Sequence, residues 1–238
     1  MNDSKALVHR NPVPLAEVGT VIRMPGTPTL AIASQRITPS QDGIPATGGP
    51  ANENGERNRR LEELIGREAA KLCSPKEAVM IDGGSTTRQM CAHLAGLNLQ
   101  VLTNSLLIVN ALLSQRGTRV LVPGGQVFPE QNIILSAAVD DDMPRFHAPK
   151  LFMGAAAIGP DGLVQADFIL VAAKRRLIDR AEQIIVLADS SKFGSSSGQV
   201  VCGLEEIDIL ITDAGVSPEN AAMLEKNGVK LLVTAASP

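Results

Sequence analysis

Apolar positions along the chain are scattered without period at first and then gather into short blocks that recur to the end. Residues 1–55 carry seven prolines and six glycines, and no stretch among them sustains a helical apolar period. That predicts an extended arm, with residues 19–24 and 30–33 as its strand-like pieces. From Glu56 the pattern changes: Leu61, Leu64, Ile65, Ala69 and Leu72 share one helical face, while Arg57, Arg59, Arg60, Glu62, Glu63 and Arg67 lie mostly off it. An amphipathic helix ending near Ser74-Pro75 is predicted, its arginines a solvated face.

Strands and helices then alternate. Aliphatic runs predict strands over 78–82, 100–102, 119–122, 132–135, 150–158, 184–188, 208–212 and 230–233, several of them apolar on both faces. Helices are predicted after Ser85 and over 106–114, 137–146, 167–180 and 218–226, the last with Pro218 in its first turn and Gly228 past its end. Asp161-Gly162 marks a turn. Short strands alternating with helices, and strands without a polar face, predict an α/β fold: a mostly parallel sheet with helices on both faces. The predicted organisation is an arm over 1–55 and one domain over 56–238.

Composition narrows the function classes. The 238 residues are 44% hydrophobic, enough for a sizeable core, and aromatics make up 2% with no Trp or Tyr, so that core is aliphatic and there are no stacking platforms for single-stranded nucleic acid. A formal charge of −3 gives no basic field for DNA over the chain as a whole. Cys73, Cys91 and Cys202 stand apart, with neither metal spacing nor a disulfide framework, as in a protein of the reducing cytoplasm. No apolar run approaches the roughly 20 residues of a membrane span. No cofactor or metal is expected.

Ligands of open parallel sheets bind beyond the carboxyl ends of the strands, and the polar residues predicted there form a coherent set. Asp82, Gly83, Gly84, Ser85, Thr86 and Thr87 follow the first strand and open a helix. This is a sequence suited either to capping that helix or to cradling an anion with free backbone amides and hydroxyls. Thr103, Asn104 and Ser105 end the second strand, Gly124, Gly125 and Gln126 the third, and Asp189, Ser190, Ser191 and Lys192 a later one. Glycines, hydroxyls, an amide and a mobile ammonium suit a phosphorylated sugar or polyol. No catalyst stands out: His9, His93 and His147 lack acid neighbours, and Asp140-Asp141-Asp142 point different ways on a helix. A sugar-phosphate isomerase or deaminase is the competing reading.

In order and wording these segments resemble the effector-binding domain of the DeoR family of bacterial transcription regulators. The resemblance runs through Arg67-Glu68-Ala69-Ala70, Asp82 to Thr87, Leu102 to Ser105, Pro123 to Gln126, Phe152-Met153-Gly154 to Ile158, Ala173-Lys174-Arg175, Leu187 to Gly194 and Asp208 to Asp213. It covers nearly all of 56–234, and the wording is most similar to the branch that answers to ascorbate 6-phosphate. The resemblance implies a fold similar to ribose-5-phosphate isomerase and CoA transferases, and a non-enzymatic sensor of a phosphorylated sugar that acts as a repressor through operator DNA and a homo-oligomer. It also brings Lys174 into the candidate site. Where the isomerases carry acidic residues after the central strand, this chain has Gly154-Ala155-Ala156-Ala157. Two departures stand out. Residues 1–55 show no helix-turn-helix, leaving open a fragment, a truncated product or a degenerate reader, and Ser136-Ala137 stands where the family has Gly-Pro.

Overall fold

Aliphatic runs without a polar face are stable as strands only when both faces are covered, and the computed structural model covers them. It describes residues 50–136, 146, 148–194 and 197–234, with side chains from Gly55 onward. The arm over 1–49 with its two strand-like pieces, and the helix predicted over 137–146 apart from Phe146, lie outside the described residues. Everything described belongs to one unit spanning residues 47–238.

Seven strands form one parallel sheet: β1 (Ala78–Ile81), β2 (Gln100–Leu102), β3 (Arg119–Leu121), β6 (Ala148–Gly154), β9 (Ala181–Leu187), β11 (Ile209–Asp213) and β12 (Lys230–Thr234). Their order is β12-β11-β9-β6-β1-β2-β3, and every neighbouring pair runs parallel. Two small antiparallel sheets stand beside it. A hairpin joins β4 (Gln126–Phe128) to β5 (Ile133–Leu135), and β10 (Gln199–Cys202), β8 (Gly162–Gln165) and β7 (Ala157–Gly159) form a triplet in that order. The run predicted as one strand over 150–158 is therefore two, β6 and β7. The chain leaves the parallel sheet at Ala155-Ala156 and turns back through Asp161-Gly162. Gly162 holds φ +119, and a Cβ there would sit 2.0 Å from the Cys202 carbonyl oxygen, so the turn accepts only glycine.

Among the described residues five α-helices cover the sheet: α1 (Pro50–Ala70), α2 (Ser85–Cys91), α3 (Leu106–Leu112), α4 (Phe168–Ile178) and α5 (Pro218–Lys226). Alternation along the strands divides the core into two layers. Val79, Ile81, Val101, Phe152, Ile185, Leu187 and Ile211 face Ile65 and Ala69 of α1, Met90 of α2, and Ile108 and Leu112 of α3. Met80, Leu102, Leu151, Met153, Val186 and Leu210 face Leu177 of α4, Leu224 of α5, and Ile158, Leu163 and Val201 of the antiparallel triplet. Helix α1 begins at Pro50, ahead of the change of pattern at Glu56, and ends at Ala70 rather than near Ser74.

Helix starts follow their capping residues. Ser105 caps α3 by accepting from the Ile108 amide, Asp167 caps α4 by accepting from Ile169 and Leu170, and Ser217 caps α5 ahead of Pro218. The three cysteines are buried and free. Burial pushes the thiols of Cys73 and Cys91 up to about 12 and that of Cys202 up to about 11. They behave as small apolar side chains. Among the described residues no helix is long and apolar enough to cross a membrane.

Candidate functional site

The sheet order places the site. From β1 the chain adds β2 and β3 on one side, then returns to lay β6, β9, β11 and β12 on the other, so β1 and β6 are the strands at which the winding reverses. Crevices open beyond the carboxyl ends of such a pair, because the connections leave in opposite directions. Here β1 delivers Asp82, Gly83 and Gly84, and β6 delivers Gly154, with the Asp82 amide donating to the Phe152 carbonyl at 2.9 Å. Gly83 packs so tightly on the second strand's end that a Cβ would lie 2.9 Å from the Ser105 hydroxyl.

A cleft of about 190 Å³ lies over this junction, lined by Gly83, Gly84, Ser85, Thr86, Gly154, Ala155, Ala156, Gln165, Leu170, Lys174 and Lys192. A second hollow shares Gly83, Gly84, Ser85 and Leu170 and continues past Asp82, Ser105, Gln131 and Leu107. The cradle is thus open on two sides.

Two lysines line the cleft, and Arg88 lines the second hollow. Lys174 comes from the buried face of α4, and its ammonium donates to Asp82 Oδ2 and, at 2.9 Å, to the Gly154 carbonyl. Asp82 and Lys174 are 4% and 7% exposed, so the pair is desolvated and neither charge can be removed cheaply. Lys192 reaches the cleft from a single 3-10 turn, Ser190–Lys192, its backbone amide donating to the Asp189 carbonyl at 3.0 Å, while its ammonium has no hydrogen bond or ion pair with the described residues. One cation is locked in place and the other is available to a ligand.

The turn that carries Lys192 is itself anchored. Asp189 accepts from the Ser191 amide and hydroxyl, so its carboxylate caps its own turn. Asp213, at the end of β11, accepts from the Ser190 amide at 2.6 Å, the Ser190 hydroxyl at 2.9 Å and the Gly215 amide at 2.9 Å. Burial pushes the Asp213 carboxyl up, but those hydrogen bonds outweigh it and hold the group below its ordinary value of 3.8. A carboxyl lowered in the folded state stabilises fully above its unfolded pKa and loses that contribution as pH falls through the folded one. Asp213→Asn is therefore expected to lower stability at neutral pH by about 1–3 kcal/mol and to flatten the acid limb. Urea midpoints taken from neutral pH down to about pH 3 would show this, and an unchanged acid limb would refute it.

The structure gathers Asp82, Gly83, Gly84, Ser85, Thr86, Ser105, Lys174 and Lys192 around the two connected hollows. It places the other residues singled out from sequence elsewhere. Thr87 is buried and donates to the Gly84 carbonyl, tightening the loop from below. Thr103 accepts from the Ser105 amide, and the Asn104 side chain is 1% exposed with neither amide atom partnered. Gly124, Gly125 and Gln126 belong to the approach to the β4–β5 hairpin, where a Cβ on Gly125 would meet the backbone of Leu135 and Ser136 at 2.6 Å. Ser191 spends its hydroxyl on Asp189. His93 lies in the turn after α2, its Nε2 buried without a partner. Composition and spacing gave no signal for Gln165, Leu170, Gln131 or Leu107, because the two hairpins and two helices that carry them reach the site only through tertiary packing.

Glycine backbone, an ammonium without a partner among the described residues and a hydroxyl face one space, and its carboxylate is paired with Lys174. The DeoR C terminal sensor domain matches residues 57–214. The chain belongs to the DeoR family. The HTH-type transcriptional repressor GlcR of Bacillus subtilis (strain 168) is 33% identical over 232 residues, covering 97% of this chain and 85% of that protein. The HTH-type transcriptional regulator UlaR of Escherichia coli (strain K12 / DH10B) is 30% identical over 183 residues, covering 77% and 72%.

Among solved structures this DeoR-family sensor domain is similar to a D-ribose-5-phosphate isomerase in complex with phospho-erythronic acid, at 16% identity and a TM-score of 0.42 over 57% of this chain and 54% of that one. It is also similar to eIF2B beta from Chaetomium thermophilum, at 14% identity and a TM-score of 0.45 over 67% and 50%. The domain thus spans about half the length of those two chains.

Proposed function

We propose that the cleft between Gly83-Gly84, Lys174 and Lys192 holds the phosphate of a phosphorylated sugar, and that its occupancy sets how the regulator engages operator DNA. The observation that carries this is the pairing of the Lys192 ammonium with a turn of two half-buried glycines and an exposed serine at the reversal of a parallel sheet. The second hollow, with Ser105 and Gln131, offers hydroxyl and amide groups suited to a polyol. Regulators named as repressors or regulators among the relatives support the DNA role, in which residues ahead of the sensor reach the operator and a homo-oligomer in the cytoplasm carries the response. Residues 1–55 would then be an appendage to a sensor spanning 56–238.

The role is sensing rather than turnover. Asp82, the carboxylate among the described cleft residues, is held by Lys174, and Gly154-Ala155-Ala156 line the cleft without an acid. Thermal unfolding against glucose 6-phosphate, ribose 5-phosphate, ascorbate 6-phosphate and their unphosphorylated counterparts tests the assignment. The midpoint is expected to rise with at least one phosphorylated sugar. Stabilisation by an unphosphorylated sugar with no response to any phosphorylated one would remove the phosphate from the account, and steady turnover of a sugar phosphate would replace the sensor with an isomerase.

A further inference from the structure

Ser85 belongs to three hollows at once: the cleft, its side extension, and a groove of about 700 Å³ between α1 and α2. Its hydroxyl is already engaged, donating to Oε1 of Glu62 on α1. A hydroxyl has one proton and cannot donate to a carboxylate and a bound phosphate together. Nor will two anions share that contact comfortably, whereas a neutral polyol leaves the carboxylate undisturbed.

Where α1 is held also matters. At Gly66 the helix touches α2 backbone to backbone, a Cβ there falling 2.6 Å from the Met90 amide nitrogen. Towards its start a groove lies between the helix and the domain. Gly55, Asn58 and Arg59 line one wall of the groove, with Arg88, Gln89, Ala92 and Ala111 opposite, and residues 55–60 are exposed. Helix α1 is thus pinned at Gly66, tied at Glu62 and open beyond. Arg59 and Arg88 line the same groove and offer a displaced carboxylate cationic neighbours.

We propose that Ser85 and Glu62 form a latch between the anion cradle and α1. A phosphate on Ser85 takes the hydroxyl, expels Glu62, and frees the first half of α1 to move about Gly66. Glu62 thereby makes the response specific for a phosphorylated ligand, and the helix that enters the sensor becomes the element that reports occupancy. This rests on the phosphate reading of the cleft for its trigger, but the tie itself stands independently of any ligand.

Hydrogen exchange on the full chain separates the two. Without ligand, Ser85→Ala is expected to accelerate the amides of residues 58–63 about tenfold while leaving the buried strands unchanged. Inorganic phosphate added to the unsubstituted chain is expected to slow residues 83–88 and accelerate 58–63. Glu62→Gln keeps an acceptor but removes the charge, so it should bind phosphate about tenfold more tightly. Unaltered exchange of α1 in Ser85→Ala overturns the latch. So does phosphate that slows residues 83–88 and leaves 58–63 as they were, and that result preserves the cleft as an anion site. If phosphate slows nothing, the cleft reading and the latch fall together.

Discussion

Lys174→Met is expected to destabilise the domain by about 3–5 kcal/mol, because it leaves the Asp82 carboxyl group, 4% exposed, without its cation. The methionine fits the stem of the lysine but donates to neither Asp82 nor the Gly154 carbonyl, so the loss is electrostatic rather than steric. An unpaired carboxylate at the floor of the cleft would also repel a phosphate, and affinity for a sugar phosphate should fall at least about 100-fold. The pair Asp82→Asn with Lys174→Met removes both charges and should recover most of the stability, since a buried ion pair contributes little net of its desolvation. It should not recover binding. Urea denaturation and titration calorimetry on the single and double variants test this. A double variant as unstable as the single one would show that the methionine, not the orphaned charge, does the damage.

Gly66→Ala is the second large effect, and it runs against helix propensity. Alanine in a helix interior is favoured over glycine by about 1 kcal/mol. Here its methyl would lie 2.6 Å from the Met90 nitrogen and 2.9 Å from the Gln89 carbonyl carbon, both backbone atoms that cannot swing aside. The two helices must separate, at about 1–3 kcal/mol beyond the propensity gain. Because α2 begins at Ser85, the separation also shifts the cradle, so reduced stability should come with weaker sugar-phosphate binding. A variant as stable as the parent would mean that the crossing is looser than the backbone contact implies.

The parallel sheet was legible because its strands carry one signal. Met80, Phe152, Val186 and Leu210 sit in aliphatic runs that only a doubly covered sheet accommodates, and α5 was bounded by Pro218 and Gly228. The antiparallel strands β4, β8 and β10 were not legible. Each is short, β4 and β10 expose Gln126 and Val200, and β10 finds its partner β8 only across α4 and β9. The turn from Gly83 to Thr86 could be read directly as the end of a strand and the start of a helix, whereas Asp189 suited the ligand list equally well as the cap it is. Glu62 looked like one more charge on a solvated helix face, since nothing local in sequence distinguishes it from Glu63. Only the fold brings it to Ser85.

The reversal between β1 and β6 has a consequence for folding. The two strands come from opposite halves of the chain, Val79 pairing with Lys150 and Ile81 with Phe152, so the cleft is a seam that closes only when both halves have assembled. Contacts of such long range form late and slowly. A ligand straddling the seam has nothing to bind in a half-assembled chain, so its binding energy should appear in the global unfolding transition rather than in local protection alone. Occupancy of this cleft would therefore certify a completed fold before anything else.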